Sequence, residues 1–316
     1  MFAGVRALGI AIAHVLMASL ASFSAALHAA PVNLIHTSLT TSDNVRLHVM
    51  EAGQDRPGQP VILFVPGWSM PASIWMSQIE ALSKTHRVSA IDPRGQGDSE
   101  VPMNGFTTER RAQDLHELIV QYESVVLVTW SLGSLEALQY LRTFGDSRVR
   151  ALVIVDSSVG EASLPYLLQN PPPPEPPPKG PQLTFTQELR QDRAKALENF
   201  MRDIFKKPIA EDRILALRDG ALRMPLGASL SIFPGSRIPR ERWLAAVHGF
   251  RKPVLYVVTP QFAGQALSLR QRRPGTEIDI FETAGHALFA DEPERFNALL
   301  ADFVARNGLT AAPAPN

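Results

Sequence analysis

Short apolar runs recur along this chain, and each stops at a glycine, proline or aspartate before a stretch with helical spacing begins. Val61 to Val65 is unbroken and ends at Pro66-Gly67. Arg87 to Ile91 ends at Asp92-Pro93-Arg94-Gly95, and Val125 to Val128 leads into a helical pattern from Leu132 to Phe144. Ala151 to Val155 follows and ends at Asp156. Continuous apolar runs of this length belong to strands covered on both faces. Ile74 to Leu82 and Thr108 to Tyr122 supply helices between them. Ahead of these, Leu34 to Leu39 and Val45 to Met50 alternate around Thr41, Ser42, Asp43 and Asn44, which predicts an antiparallel hairpin at a sheet edge. The rhythm is that of an α/β fold: a mostly parallel, doubly wound sheet with helices on both faces.

After Asp156 the rhythm stops. It resumes with a strand from Val254 to Val258, a helix near Ala263 to Arg272, a strand from Glu277 to Phe281 and a last helix from Pro293 to Arg306. Residues 31–156 and 251–308 therefore form the core, and residues 157–250 form an inserted helical cap, with helical spacing from Thr186 to Phe205 and Glu211 to Arg223. Within the insertion, residues 171–178 hold seven prolines in eight positions, which favours an extended polyproline path. A stiff surface connector is the expected role, with a partner-docking segment or a wall of the site mouth as alternatives. The Ala- and Pro-rich tail, residues 309–316, is expected to be disordered. The pattern contains no internal repeat.

Composition changes the picture mainly at the amino terminus. The 316 residues are 45% hydrophobic and 20% charged with zero net charge, so neither a nucleic-acid partner nor a polybasic membrane surface is expected. In residues 1–30, Arg6 is the only charged side chain, and Ala7 to Leu27 is apolar and small. Leu27-His28-Ala29 before Ala30-Pro31 has the form of a signal-peptidase site. Residues 1–30 are expected to be a cleaved export signal; the alternative, an uncleaved anchor, is weakened by His14 and the interspersed Ala and Ser. There is no cysteine, which excludes a lipid anchor on cysteine and any disulfide. The expected location is the periplasm or exterior of a bacterium, without stable membrane association once the signal is gone.

Candidate chemistry lies at the strand ends. Thr129-Trp130-Ser131-Leu132-Gly133 sits where a core strand meets a helix, a sharp turn that lifts a serine hydroxyl above the sheet. Pro66-Gly67-Trp68 follows the first parallel strand, Asp92-Pro93-Arg94-Gly95-Gln96-Gly97-Asp98-Ser99 the next, and Ala284-Gly285-His286 the last. Together these segments, spread over roughly residues 40–160 and 250–305, resemble the α/β hydrolases, in particular esterases, perhydrolases and C–C hydrolases with a helical cap. The resemblance implies Ser131 as nucleophile and His286 as its base. It implies backbone amides of Trp68 and Leu132 as oxyanion donors, and a structural role for the Asp92–Ser99 loop. Two departures stand out. Thr129 replaces the first glycine of the usual Gly-x-Ser-x-Gly, and Pro66 stands where histidine is common.

The third departure concerns the acid. The family's commonest position follows the strand Val254 to Val258, but Thr259-Pro260-Gln261-Phe262-Ala263-Gly264 has no carboxylate. Some members carry the acid one strand earlier, which implies Asp156 here; Asp291 and Glu292 follow His286 too closely to orient its ring. The resemblance points to an exported serine hydrolase acting on a small carboxylic ester through an acyl-enzyme. A serine at the elbow argues against dehalogenation and epoxide hydrolysis, which need a carboxylate nucleophile. Perhydrolase, lactonase, peptidase or lyase chemistry stays open. Thr129 and the absent late-strand acid also leave room for a non-catalytic binding or sensor protein on this scaffold. No metal-ligand cluster and no phosphate-binding glycine loop is present, so no cofactor or metal is expected. His36, His48, His86, His116 and His248 are expected at the surface or in packing. Trp68, Trp130, Leu230, Phe233 and Trp243 are candidates for an apolar lining, with core packing the simpler role for most of them.

Overall fold

The computed structural model describes residues 32–168, 183–233 and 240–310; the expected export signal and the proline run lie outside them. Eight strands form one sheet. They are β1 (Ile35–Thr40), β2 (Arg46–Ala52), β3 (Val61–Val65), β4 (Val88–Ile91), β5 (Val125–Trp130), β6 (Val149–Val155), β7 (Val254–Val258) and β8 (Thr276–Ile280). Their spatial order is β1-β2-β4-β3-β5-β6-β7-β8. β1 pairs antiparallel with β2, and β2 antiparallel with β4; every later pairing is parallel. The strands that read as unbroken apolar runs are the central ones, and every residue of β3, β5 and β7 is buried. β1 and β8, at the two edges, are largely exposed or half-buried.

The connecting helices are α1 (Met76–Leu82), α2 (Thr108–Ile119) and α3 (Leu132–Phe144); after β7 come α9 (Pro260–Arg272), α10 (Leu288–Asp291) and α11 (Pro293–Arg306). Five more lie between β6 and β7: α4 (Phe185–Gln191), α5 (Arg193–Asp203), α6 (Glu211–Leu222), α7 (Leu226–Ile232) and α8 (Arg240–Gly249). The single helix expected from Thr186 to Phe205 is broken at Asp192, whose backbone is extended (φ −146°, ψ 91°) and whose carboxylate accepts from the Lys195 amide to cap α5. A short polar residue that caps the next helix competes with continuing the last one. α7 escapes the periodicity test because serine, glycine and alanine dilute its apolar face, and α8 because its hydrophobic side is short. No helix of the described residues is long and apolar enough to cross a membrane. At the other end, order runs further than expected: Leu309 is buried, and its amide donates to the Val304 carbonyl at 3.0 Å.

The Asp92–Ser99 loop is held by charge. Arg94 is fully buried, and its guanidinium donates to both oxygens of Asp114 (2.6 and 2.7 Å) and both oxygens of Asp43 (2.9 and 3.0 Å). The Arg94 hydrogen bonds hold the Asp43 carboxyl down at about 2. Asp92 accepts from the Asp98 amide and from His48 Nδ1, at 2.8 and 2.7 Å. Gly97 has φ +50°, and a β-carbon there would fall 2.1 Å from the Asp92 carboxylate, so only glycine fits. Two of the histidines expected at the surface or in packing meet carboxylates. His48 pairs with Asp92, and His248 meets buried Glu161 at 2.6 Å, joining α8 to the segment after β6.

Candidate active site

β5 delivers Trp130 to the sheet's carboxyl edge, and α3 starts at Leu132. Ser131 between them has φ 53° and ψ −121°, a conformation that L-residues avoid. Its backbone is held on both sides. The Ser131 amide donates to the Val155 carbonyl at 3.0 Å, and its carbonyl accepts from the Ser134 amide (3.0 Å) and the Ser157 hydroxyl (2.9 Å). Gly133 explains why the turn needs a small residue after the serine. A β-carbon there would lie 2.5 Å from the Pro66 carbonyl oxygen and 2.8 Å from that of Val65, both rigid backbone. Gly133→Ala is expected to destabilise the fold by about 1–3 kcal/mol, the range for overpacking a tight site, measurable by urea unfolding.

Thr129 fits where glycine is usual because its side chain has partners. It is fully buried, its hydroxyl donates to the Val153 carbonyl of β6 at 3.0 Å, and it lies 3.0 Å from the Ser134 hydroxyl. Ser134 in turn donates to the Thr129 carbonyl at 3.1 Å. A buried hydroxyl costs little once it is hydrogen-bonded, so the substitution ties the elbow to the neighbouring strand.

The turn after β3 comes up beside this elbow. A β-carbon on Gly67 would sit 3.1 Å from the Ser131 β-carbon, so the Gly67–Trp68 peptide runs directly past the serine. Among the described residues, the amides of Trp68 and Leu132 donate to no protein acceptor. Leu132 opens a helix, where the free N–H groups favour negative charge. The Trp68 side chain points into the inserted helices. Its indole N–H donates to the Ser229 carbonyl of α7 at 3.0 Å, and Phe185, Phe200 and Phe233 pack around the ring with centroids 4.8–5.8 Å away. Trp243 and Leu230 pack with the core, as most aromatic and aliphatic candidates were expected to.

His286 sits after β8, and its Nδ1 lies 2.7 Å from Asp156 Oδ2. Asp156 ends β6, is fully buried and has φ 43°; the His286 side chain is 26% exposed. Trp130 ties this loop to the elbow, its indole N–H donating to the His286 carbonyl at 2.9 Å. Gly285 allows the loop to approach α5 closely, since a β-carbon there would meet the Ile204 carbonyl at 2.7 Å. The position after β7 that lacks a carboxylate is filled by Thr259. Its amide and hydroxyl both donate to Asp156 Oδ1, at 2.6 and 2.8 Å. The residue in the expected acid position therefore holds the carboxylate supplied by the neighbouring strand.

Sequence reasoning missed that role. The available signal was a threonine at the N-cap of α9, before Pro260, whose side chain makes no capping bond. Thr259→Val removes one charge-assisted hydrogen bond from a buried carboxylate and is expected to cost about 1.5–3 kcal/mol in urea unfolding. Asp291 was also missed. It does not reach the ring, but accepts from the Gly285 amide at 2.7 Å and from the amides of Lys206 and Lys207, fixing the backbone of the histidine loop.

These features define an α/β hydrolase, and the chain belongs to the alpha/beta hydrolase family, which matches residues 62–299. It is 26% identical over 277 residues to the AB hydrolase superfamily protein YisY of Bacillus subtilis (strain 168), a match covering 84% of this chain and 97% of that one. It is 27% identical over 284 residues to the pimeloyl-acyl-carrier protein methyl ester esterase of Vibrio atlanticus (strain LGP32), covering 84% and 100%. Among solved structures it resembles an esterase from Exiguobacterium antarcticum (21% identity, 86% and 100% covered, TM-score 0.69). A bromoperoxidase from Bacillus anthracis is equally similar (23%, 86% and 100%, TM-score 0.69). At that identity the structural likeness establishes the fold alone.

Proposed function

We propose that this chain is an exported serine hydrolase that cleaves a small carboxylic ester, with Ser131 as nucleophile, His286 as base and Asp156 as the triad acid. The observation that carries the reading is the 2.7 Å contact between His286 Nδ1 and a buried Asp156, in a loop that Trp130, next to the strained Ser131 turn, holds by its indole N–H. With Nδ1–H donated to the carboxylate, Nε2 is left as the proton acceptor. His286 takes the Ser131 proton as Oγ attacks the ester carbonyl. The resulting oxyanion is held by the Trp68 and Leu132 amides. Collapse expels the alcohol, which receives the proton from His286. Water, deprotonated by the same nitrogen, then releases the acid and regenerates Ser131.

A Vibrio relative named for methyl ester hydrolysis supports the ester as substrate class. The two departures that favoured a non-catalytic scaffold have structural explanations, since Thr129 is hydrogen-bonded in place and Thr259 serves Asp156. The helices between β6 and β7 are the cap of this reading, residues 1–30 its export signal, and no cofactor or metal takes part. A fluorophosphonate probe is expected to modify the purified protein once, on the peptide containing Ser131, as read by mass spectrometry. A folded protein that takes up no probe overturns the proposal.

A further inference from the structure

Gln96 is a buried residue of the Asp92–Ser99 loop whose side-chain amide is surrounded by the turn that carries Trp68. Its Nε2 donates to the Gly67 carbonyl at 3.0 Å and to the Met70 carbonyl at 2.7 Å. Its Oε1 accepts from the Ser69 amide at 3.3 Å and from Arg111 Nη2 at 2.9 Å. Both hydrogens and both lone pairs of the amide are used.

The geometry has a direct consequence for the oxyanion site. Gly67 to Met70 is a β-turn, closed by the Met70 amide on the Gly67 carbonyl at 3.3 Å, with Ser69 at φ 59°. Such a turn normally has glycine at this third position, so Ser69 is held there against its preference. The Gly67 carbonyl and the Trp68 N–H belong to one planar trans peptide and point in opposite directions. Drawing the carbonyl onto Gln96 turns the Trp68 N–H away from Gln96. The bond from Ser69 N–H fixes the next peptide plane as well. Gln96 therefore clamps both planes that flank Trp68, beside the Ser131 β-carbon.

Behind Gln96 lies an ion pair. Arg111 of α2 and Glu136 of α3 are both buried, with Nε and Oε1 2.7 Å apart. Arg111 fixes which end of the Gln96 amide is oxygen. Glu136 belongs to the helix whose first amide is that of Leu132. The chain Glu136–Arg111–Gln96 thus joins the two segments that bring the amides to the site.

We propose that Gln96 is a positioning residue of the hydrolase, aiming the Trp68 amide at the oxyanion, with Arg111 and Glu136 holding it in register. The proposal rests on the serine-hydrolase reading and adds a residue to it. The test compares the wild-type protein with Gln96→Met, which keeps the length and loses all four hydrogen bonds, and with Gln96→Glu, which keeps the two acceptor bonds but turns an oxygen toward two carbonyls. Rates on p-nitrophenyl acetate are expressed per active site titrated with a fluorophosphonate, and phenylboronic acid reports affinity for a tetrahedral adduct. Both variants are expected to lose about 10- to 100-fold in kcat with KM within about twofold, and to bind the boronate correspondingly more weakly, somewhat less than removal of an oxyanion donor costs. A residue needed only for folding would lower the titrated fraction and the melting temperature, leaving kcat per site and boronate affinity unchanged; that result overturns the assignment. So does a Gln96→Met protein within about threefold of wild type in kcat. A wild-type protein that neither reacts with the probe nor turns over the ester overturns the hydrolase reading itself, and the Gln96 role with it.

Discussion

Replacing Ser131 with alanine is expected to lower ester turnover about 10⁴- to 10⁶-fold, the range seen when a triad serine is lost in serine hydrolases. The proposed mechanism needs an acyl-enzyme, and the Thr129 hydroxyl of the same elbow is buried and bonded to the Val153 carbonyl. The hydroxyls of Ser157 and Ser134, which also border the turn, are engaged with the carbonyls of Ser131 and Thr129. Because the Ser131 backbone rather than its side chain carries the hydrogen bonds that support the turn, Ser131→Ala is expected to remain folded. Steady-state rates on p-nitrophenyl acetate, with urea unfolding as the folding control, check both statements. A variant that keeps a tenth of the rate would require a different nucleophile.

Asp156→Asn is expected to cost about 10³- to 10⁴-fold in kcat, through the wrong histidine tautomer. Thr259 donates twice to Oδ1, so the asparagine oxygen must stay there and its NH₂ must face His286 Nδ1. An N–H pointing at Nδ1 requires that nitrogen to be the acceptor, which leaves the proton on Nε2, where the Ser131 proton has to go. Asp291→Asn is the informative comparison. Asp291 receives backbone amides of the same loop, and its loss should act on stability more than on chemistry. If Asp156→Asn retains more than a tenth of the wild-type kcat while Asp291→Asn abolishes it, the acid assignment is wrong.

Much of the fold is legible in the sequence. Unbroken apolar runs give away central parallel strands because both faces are covered and an unpaired polar group there is costly, and Val61 to Val65 is both the clearest run and a fully buried strand. The strand–helix turn at Ser131 and the loop that carries His286 were legible because each is written in consecutive residues. Asp156 came only from the resemblance, as the acid that some members carry one strand earlier. Thr259 and Gln96 were not legible, since their roles depend on which neighbours the fold brings within 3 Å, and neither threonine nor glutamine announces a partner by type. The same holds for Thr129, an apparent mismatch in one dimension and a cross-strand tie in three. The insertion was read coarsely for a different reason: its short helices are bounded by local caps such as Thr184 and Asp192, which periodicity does not detect.

Trp68 joins two demands that are usually separate. Its backbone runs beside Ser131, while its indole is fastened to α7 and enclosed by aromatic rings from α4, α5 and the end of α7. On the proposed mechanism, whatever spreads those helices to admit a larger acyl or alcohol group also pulls on the residue whose amide is proposed to hold the oxyanion. Admission and reactivity are then in competition. An ill-fitting ester is then expected to be penalised in the rate at which it reacts rather than in how tightly it is held, so that size would be read in kcat without a pocket that excludes the wrong substrate outright.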